Sequence, residues 1–459
     1  MARGAFCLLF RAQAEQRKET ELDQNRSHQS SRECIVVGLL GMGVVGTGVA
    51  RLLLQRPERV AAAIGLPVVV KGILVRDLSK PRAVQAPDGM LTTDAEALIS
   101  DPAVAVVIEL IGGHTPAADH ILRAVALGKH VVTANKAVIA ARGPEILNLA
   151  ADKGVQVRFE ASVGAGTPII APLTRDLAAN DVTAIRGVVN GTTNYVLTQM
   201  AAHGADLEEA VDTARELGYT EADPTDDVDG TDAASKIAIL ATQAWGVAIS
   251  PQLVYSEGIS SVQARDFTCA RRLGYTIKLL ATARRFGDLL DIRVHPALVP
   301  ATAQLAAVDD VMNAVAVDTD LAGRLFFHGQ GAGSLPTSSA VVGDLIQIAR
   351  DIVQHRPADP RHIRAGGISL LPISDLETRY YLRLGATHGA DILPVSSAVL
   401  GELGILIDSA VAQSDGAPSE VVLTTHTTRE SSVQSALATL RGLDGVTSVQ
   451  MLRIEDLAA

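Results

Sequence analysis

Aromatic side chains make up only 3% of this 459-residue chain, with a single tryptophan, and cations are outnumbered: 40 lysines and arginines against 51 aspartates and glutamates give a net charge of −11. Nucleic-acid binding needs a basic face and stacking platforms, so both shortages argue against that class. Cys7, Cys34 and Cys269 are too few and too scattered for a disulfide framework or a thiolate metal site. None of the eleven histidines sets up a metal pair with nearby cysteines. No apolar run reaches the roughly 18 residues of a membrane helix. The apolar stretch 5–10 is too short for a signal-peptide core, and Glu15, Glu19 and Glu21 oppose a transit peptide. The expectation is a cytoplasmic protein, soluble and without a membrane partner, with residues 1–33 as a disordered tail or an upstream start. Apolar residues are abundant at 47%, enough core material for two to four domains.

After the polar start, residues 34–40 (CIVVGLL) read as a buried strand that runs into Gly41, Gly43 and Gly46 and then VARLLL. This is GxGxxG in its required strand–turn–helix context. Free backbone N–H groups and the positive helix end, around Val44 and Val45, face a pyrophosphate, Gly43 permits close approach, and Gly46 permits close helix packing. The next strand, 68–75, ends in Arg76 and Asp77, where a doubly wound fold meets the adenosine ribose. Arginine suits a 2′-phosphate and aspartate a free 2′-hydroxyl, so the order leans toward NADP with NAD left open. Further strands at 104–111 and 129–133 alternate with a helix at 117–127, which gives a parallel sheet with ligands at its carboxyl edge. Lys136 stands at that edge.

Residues 218–236 (GYTEADPTDDVDGTDAASK) place Glu221, Asp223, Asp226, Asp227, Asp229 and Asp232 ahead of Lys236. A helix starting near Thr231 puts Asp232 and Lys236 at i and i+4 on one face. An acidic loop capping a helix is the commoner meaning of such a run, and the glycine signature upstream changes the odds.

In these residues the chain resembles the homoserine dehydrogenases. The resemblance rests on the glycine turn, 134–137 (ANKA), 160–168 (EASVGAGTP), 187–195 (GVVNGTTNY), the acidic stretch to Lys236, and 331–337 (GAGSLPT), in the family's order from Cys34 to about Arg350. It implies reversible nicotinamide-dependent interconversion of L-aspartate 4-semialdehyde and L-homoserine, a step toward threonine and methionine. Aldehyde reduction needs a hydride, a proton for the developing alkoxide, and a fixed substrate pose. Lysine in water titrates near ~10.4 and is a ready acid at neutrality; a neighbouring cation such as Lys136 would help the reverse direction. By resemblance, Lys236 is the acid/base group, Asp232 its positioning partner, Glu221 with Asp227 the substrate ligands, and Lys136 a contact to cofactor and substrate. The resemblance also marks Glu160, Val163, Ala165 and Thr167 as a site for sodium or another monovalent cation, since hard cations prefer oxygen ligands. Gln330 stands where the family usually has proline.

The expected fold class is α/β, with a Rossmann-like doubly wound nucleotide-binding domain, an inserted α+β catalytic and dimerisation domain and a C-terminal ferredoxin-like domain. The expected boundaries are 34–160 for the nucleotide domain, completed by 326–355, then 161–325, a linker at 356–375 and a last domain at 376–459. The last domain reads βαββαβ and resembles an ACT domain, whose ligand loop is represented only by Asp391 to Val395 without the usual glycine. L-Threonine is the implied effector, a homodimer or homotetramer the implied assembly, and the absence of a preceding kinase domain implies a monofunctional enzyme. Truncation after Glu377 is expected to leave activity intact. Two rivals remain at this stage: a non-catalytic amino-acid sensor on a Rossmann scaffold, which need not keep Lys136, Glu221, Asp232 and Lys236 together, and an acylating dehydrogenase, which needs an activated cysteine.

Overall fold

Short unbroken runs of valine, isoleucine and leucine are apolar on both faces, so they must be buried on both faces, and a parallel sheet covered by helices satisfies that demand. The computed structural model describes residues 33–220, 223–358, 361–387, 392–413 and 419–456. Cys7, Glu221, Asp391 and all but the last residue of the expected tail lie outside them. The first sheet comprises β1 (Ile35–Leu40), β2 (Val68–Leu74), β3 (Leu91–Thr92), β4 (Val106–Glu109), β5 (His130–Thr133) and β6 (Val157–Arg158), all parallel, in the order 3-2-1-4-5-6. The order reverses between β1 and β4, the switch point at whose carboxyl side doubly wound sheets bind ligands. One face buries Ile35, Val37 and Leu39 against Val341, Leu345 and Ile348 of the helix Ser334–Val353. The other packs Leu40 and Val107 on Ile121 and Ile146.

A second sheet of twelve strands holds β7 (Val182–Val188), β8 (Tyr255–Ser256), β9 (Tyr275–Phe286), β10 (Leu289–Pro300), β11 (Met312–Thr319), β12 (Arg324–Gln330) and β13 (Ser369–Leu370). It continues through β14 (Glu377–Ala386), β15 (Ile407–Gln413), β16 (Ser419–Thr425), β17 (Thr428–Arg429) and β18 (Val446–Ile454). Its main path runs 12-11-7-9-10-18-14-16-15. The helix Thr231–Trp245 buries Ile237, Ile239 and Leu240 in the core beneath β9 and β10. β12 pairs with β11, so residues 326–330 belong to this second sheet; the element that returns to the nucleotide layer is the helix Ser334–Val353.

The last four long strands and the helices Ile392–Glu402 and Glu430–Arg441 form βαββαβ with antiparallel order 18-14-16-15, the ferredoxin-like arrangement. Tyr380, Leu382, Leu423 and Leu437 sit at its own core. The module is joined to the rest more closely than a linker at 356–375 implies. Ile363 is buried, Arg364 bridges to Val247, and β13 pairs with β10. β18 also pairs in parallel with β10, Ala297 opposite Arg453 and Leu298 opposite Ile454, so the strands of 161–325 and those of the C-terminal module form one sheet.

Candidate active site

The glycine turn shows which glycines the chain itself requires. A Cβ on Gly46 would lie 2.2 Å from the Gly41 carbonyl oxygen, and Gly41 has φ +103°. Gly43 is different: a Cβ there would meet nothing within 4 Å, so its smallness leaves open space beside the turn. Gly43 is the N-cap of the helix Val44–Gln55, whose first turn carries no acid and begins with Val44, 75% exposed. Unpaired N–H groups and a positive helix end over open space suit a pyrophosphate. The Val44 and Val45 carbonyls accept the hydroxyls of Ser334 and Ser338, which pins this helix to the returning one. Beyond β2, Asp77 is committed to a local turn, accepting the Ser79 N–H at 2.8 Å and hydroxyl at 2.6 Å. The Ser79 hydroxyl is the first cause of an Asp77 carboxyl held below its ordinary value. Arg76 is exposed and makes no hydrogen bond or ion pair among the described residues.

Four separate segments converge beyond the carboxyl edge. Asn135 caps the helix Lys136–Lys153, its side chain accepting the Val138 N–H, and so places Lys136 at the first helical position after β5. Gly230, at φ +86°, starts the helix Thr231–Trp245 and puts Asp232 in its first turn. Asp232 is 3% exposed. Its Oδ1 accepts Lys136 Nζ at 2.5 Å and its Oδ2 lies 2.8 Å from Lys236 Nζ, the i,i+4 pairing that the spacing predicts. Lys236, 8% exposed, also donates to the Val189 carbonyl at 2.7 Å. Burial works to raise the Asp232 carboxyl, but the charges of Lys236 and Lys136 outweigh it and hold the carboxyl well below its ordinary value. Partial burial likewise opposes the Lys136 charge; Asp232, with Asp227 and Asp226 behind it, wins and raises that lysine. The two ammonium groups therefore meet through a carboxylate. Lys136 is a neighbouring cation to Lys236, with Asp232 standing between them.

Asn190, which stands in the sequence within the 187–195 block, ties the site together. It caps the helix Gly191–His203 and donates both amide hydrogens, to Asp227 at 2.6 Å and to Asp232 at 2.7 Å. The Thr220 hydroxyl approaches the other Asp227 oxygen at 3.3 Å. Glu221, the next residue in the chain, lies outside the described residues. Asn313 donates to the same Val189 carbonyl that holds Lys236, at 2.9 Å. Asparagine at a helix N-cap was the one local signal, and its long-range partners leave no trace in spacing.

The 160–167 turn is buried except at Gly166. The Glu160 carboxylate accepts the N–H groups of Ile169 at 2.5 Å, Ile170 at 2.8 Å and Ala171 at 2.8 Å, about three of its roughly four acceptor sites. Val163 and Ala165 are buried beside it, Ala165 at φ +47°. Thr167 Oγ1 is buried with no hydrogen-bond partner. The Asp344 carboxyl accepts the Glu160 N–H at 2.8 Å, and burial pushes it up to about 7. Cavities of about 310 and 570 Å³ open beside this turn, both lined by Glu160 and Asp344, rather than at the lysines.

Neither described cysteine offers a nucleophile. Cys34 precedes β1, at the amino edge opposite the lysines, and burial pushes the Cys269 thiol up. A switch-point glycine turn in a dinucleotide sheet, with a lysine–carboxylate–lysine bridge at its carboxyl edge, defines a nicotinamide-dependent oxidoreductase. Residues 41–160 match the family model for the homoserine dehydrogenase NAD-binding domain and 168–346 that for homoserine dehydrogenase. The homoserine dehydrogenase of Synechocystis sp. is 44% identical over 428 residues, covering 90% of this chain and 98% of that one. The chain belongs to the homoserine dehydrogenase family. The crystal structure of a homoserine dehydrogenase from Thiobacillus denitrificans matches with a TM-score of 0.86 at 40% identity, covering 93% of this chain and 99% of that chain. A hyperthermophilic archaeal homoserine dehydrogenase in complex with NADPH matches with a TM-score of 0.59 at 27% identity, covering 69% of this chain and 97% of that one. Among the described residues no helix is long and apolar enough to cross a membrane.

Proposed function

We propose that this chain catalyses the reversible, NADP-dependent reduction of L-aspartate 4-semialdehyde to L-homoserine, with Lys236 as the proton donor. The observation that carries the reading is Asp232 buried between Lys136 and Lys236 at the edge of a dinucleotide sheet. Bound nicotinamide supplies the hydride. An ammonium group has three donors; Val189 and Asp232 occupy two on Lys236, which leaves one for the developing alkoxide. Asp232 holds that lysine in place through the 2.8 Å contact. Lys136, half-exposed and tied to Asp232 on one side, has donors left for the substrate carboxylate or the cofactor. Asp227 and Glu221 supply negative charge for the substrate ammonium. Oxidation of homoserine runs the same transfer backward, with Lys236 accepting the hydroxyl proton.

NADP is preferred over NAD in this reading because Arg76 is free while Asp77 is engaged by Ser79. The unpartnered Thr167 hydroxyl supports a monovalent cation in the 160–167 turn, held by oxygens of Glu160, Val163, Ala165 and Thr167. The C-terminal module acts as an ACT domain responding to L-threonine. β12 and β15 end the second sheet and are the edges at which a homodimer or homotetramer would assemble. The unpaired Cys34 and Cys269 suit the cytoplasm. The test is to supply L-homoserine with NADP or NAD and follow formation of the reduced cofactor: faster turnover with NADP is expected, and no turnover with either overturns the reading.

A further inference from the structure

Arg453, on β18 of the C-terminal module, is 1% exposed, and its guanidinium does not stop at its own domain. It donates to Glu430 at 2.9 and 2.7 Å within the module. On the catalytic side it donates to Glu257 at 2.7 Å and to the Tyr255 hydroxyl at 3.2 Å, and it lies over the Tyr255 ring, 5.2 Å from the centroid. Tyr255 in turn donates to Glu257 at 3.1 Å. Five hydrogen bonds thus join these four side chains, each with an ionised donor or acceptor, and such charge-assisted bonds are shorter and stronger than neutral ones.

The segment held in this way leans directly on the turn that carries the active site. The Ser256 hydroxyl donates to the Asp229 carbonyl at 3.0 Å, and the Ile259 N–H donates to the Val228 carbonyl at 2.9 Å. There is no slack between the two chains: a Cβ on Gly258 would lie 2.2 Å from the Val228 carbonyl oxygen and 2.5 Å from Asp229 Cα. The next residue, Gly230, caps the helix that bears Asp232 and Lys236, and Asp227 stands just before the turn. A shift of Glu257 is therefore passed to the Val228–Gly230 turn through two hydrogen bonds and a backbone contact.

We propose that Arg453, through Glu257, is a positioning residue that sets the turn between the substrate-binding acids and the Asp232–Lys236 pair, so that the C-terminal module completes the geometry of the substrate side of the site. Among the described residues the glycine turn on the cofactor side has no hydrogen bond or ion pair to the C-terminal module. The proposal rests on the functional reading above.

The experiment uses the full chain with Glu257→Gln, which keeps shape and removes charge, Gly258→Ala, which pushes the turn from its other side, and Arg453→Lys. In Glu257→Gln and Gly258→Ala the KM for L-aspartate 4-semialdehyde should rise about 2- to 30-fold, the ordinary range for a residue that couples sites without touching a ligand, while the KM for NADPH stays unchanged. Arg453→Lys combined with Glu257→Gln should be no worse than the more severe single change, because both act through one contact. Hydrogen exchange over residues 225–232 should quicken in each. Wild-type semialdehyde KM with wild-type exchange, or a parallel rise in the KM for both substrates, overturns the proposal. If the unsubstituted enzyme turns over no semialdehyde, the functional reading fails instead, and the exchange measurement alone decides whether Arg453 sets the turn.

Discussion

Asp232→Asn removes one charge from the centre of the site and changes almost no volume. In the native chain the carboxylate is 3% exposed and serves two lysines, but they do not suffer equally from its loss. Lys136 has a side chain 48% exposed, so water resolvates its ammonium and little stability is lost there, as for surface pairs. Lys236 has a side chain only 10% exposed and would be left buried opposite a neutral amide. Breaking a buried pair by removing one partner costs ~3–5 kcal/mol, and with a single buried cation orphaned the lower end, about 3 kcal/mol, is expected. The effect has a pH signature. The folded-state pKa of Asp232 is depressed, so its contribution is fully present above the unfolded value of ~3.9 and fades as pH falls below it toward the folded value. Urea unfolding of wild type and variant should therefore differ by a constant amount between neutrality and about pH 5 and converge in acid. A difference under about 1 kcal/mol at neutral pH, or one that does not shrink in acid, would refute the bridge as the source.

Arg76→Ala should raise the KM for NADPH and leave NADH nearly untouched, because the guanidinium is free to meet a 2′-phosphate; equal losses with both would remove it from that role. Gly43→Ala should keep the wild-type melting temperature and weaken NADPH binding, since only the cofactor space is filled, whereas Gly46→Ala should destabilise the fold by roughly 1–3 kcal/mol through its contact with the Gly41 carbonyl; calorimetry with and without NADPH separates them. Truncation after Glu377 should lower the melting temperature sharply rather than leave an intact enzyme. It strips Arg383 from Asp266, Arg453 from Glu257 and Glu455 from Arg293, and it uncovers the edge of β10 that β18 pairs with. A truncated chain with wild-type melting and turnover would contradict the shared sheet.

What could be read in the sequence was what repeats locally. The glycine turn announces itself because strand, turn and helix follow one another, and Asp232 and Lys236 meet because i and i+4 share a helix face. The βαββαβ rhythm of the last domain was legible for the same reason, and all six elements are present. What the sequence concealed lies between distant segments. Asn190 reaches Asp232 across 42 positions, and Lys136 reaches it across 96. Arg293, His295 and Arg453 are polar residues inside strands, yet all three are 0–1% exposed, with Arg293 and His295 against Glu455 and Arg453 against Glu257 and Glu430. A charge inside a strand does not say which face it takes until the partner strand is known. The pairing that attaches the last module links residues more than 150 positions apart in sequence, which local spacing does not show.

The central claim, that Lys236 delivers the proton in a nicotinamide-dependent reduction at the Asp232 bridge, is tested most directly by one comparison. Wild type and Lys236→Met are each titrated with NADPH and then given L-aspartate 4-semialdehyde while NADPH absorbance is followed. Both should bind NADPH alike; the wild type should consume it, and the variant should be slower by about 10²- to 10⁴-fold, the usual contribution of general acid catalysis. Near-wild-type turnover by a folded Lys236→Met, or no consumption by the wild type, would contradict the claim.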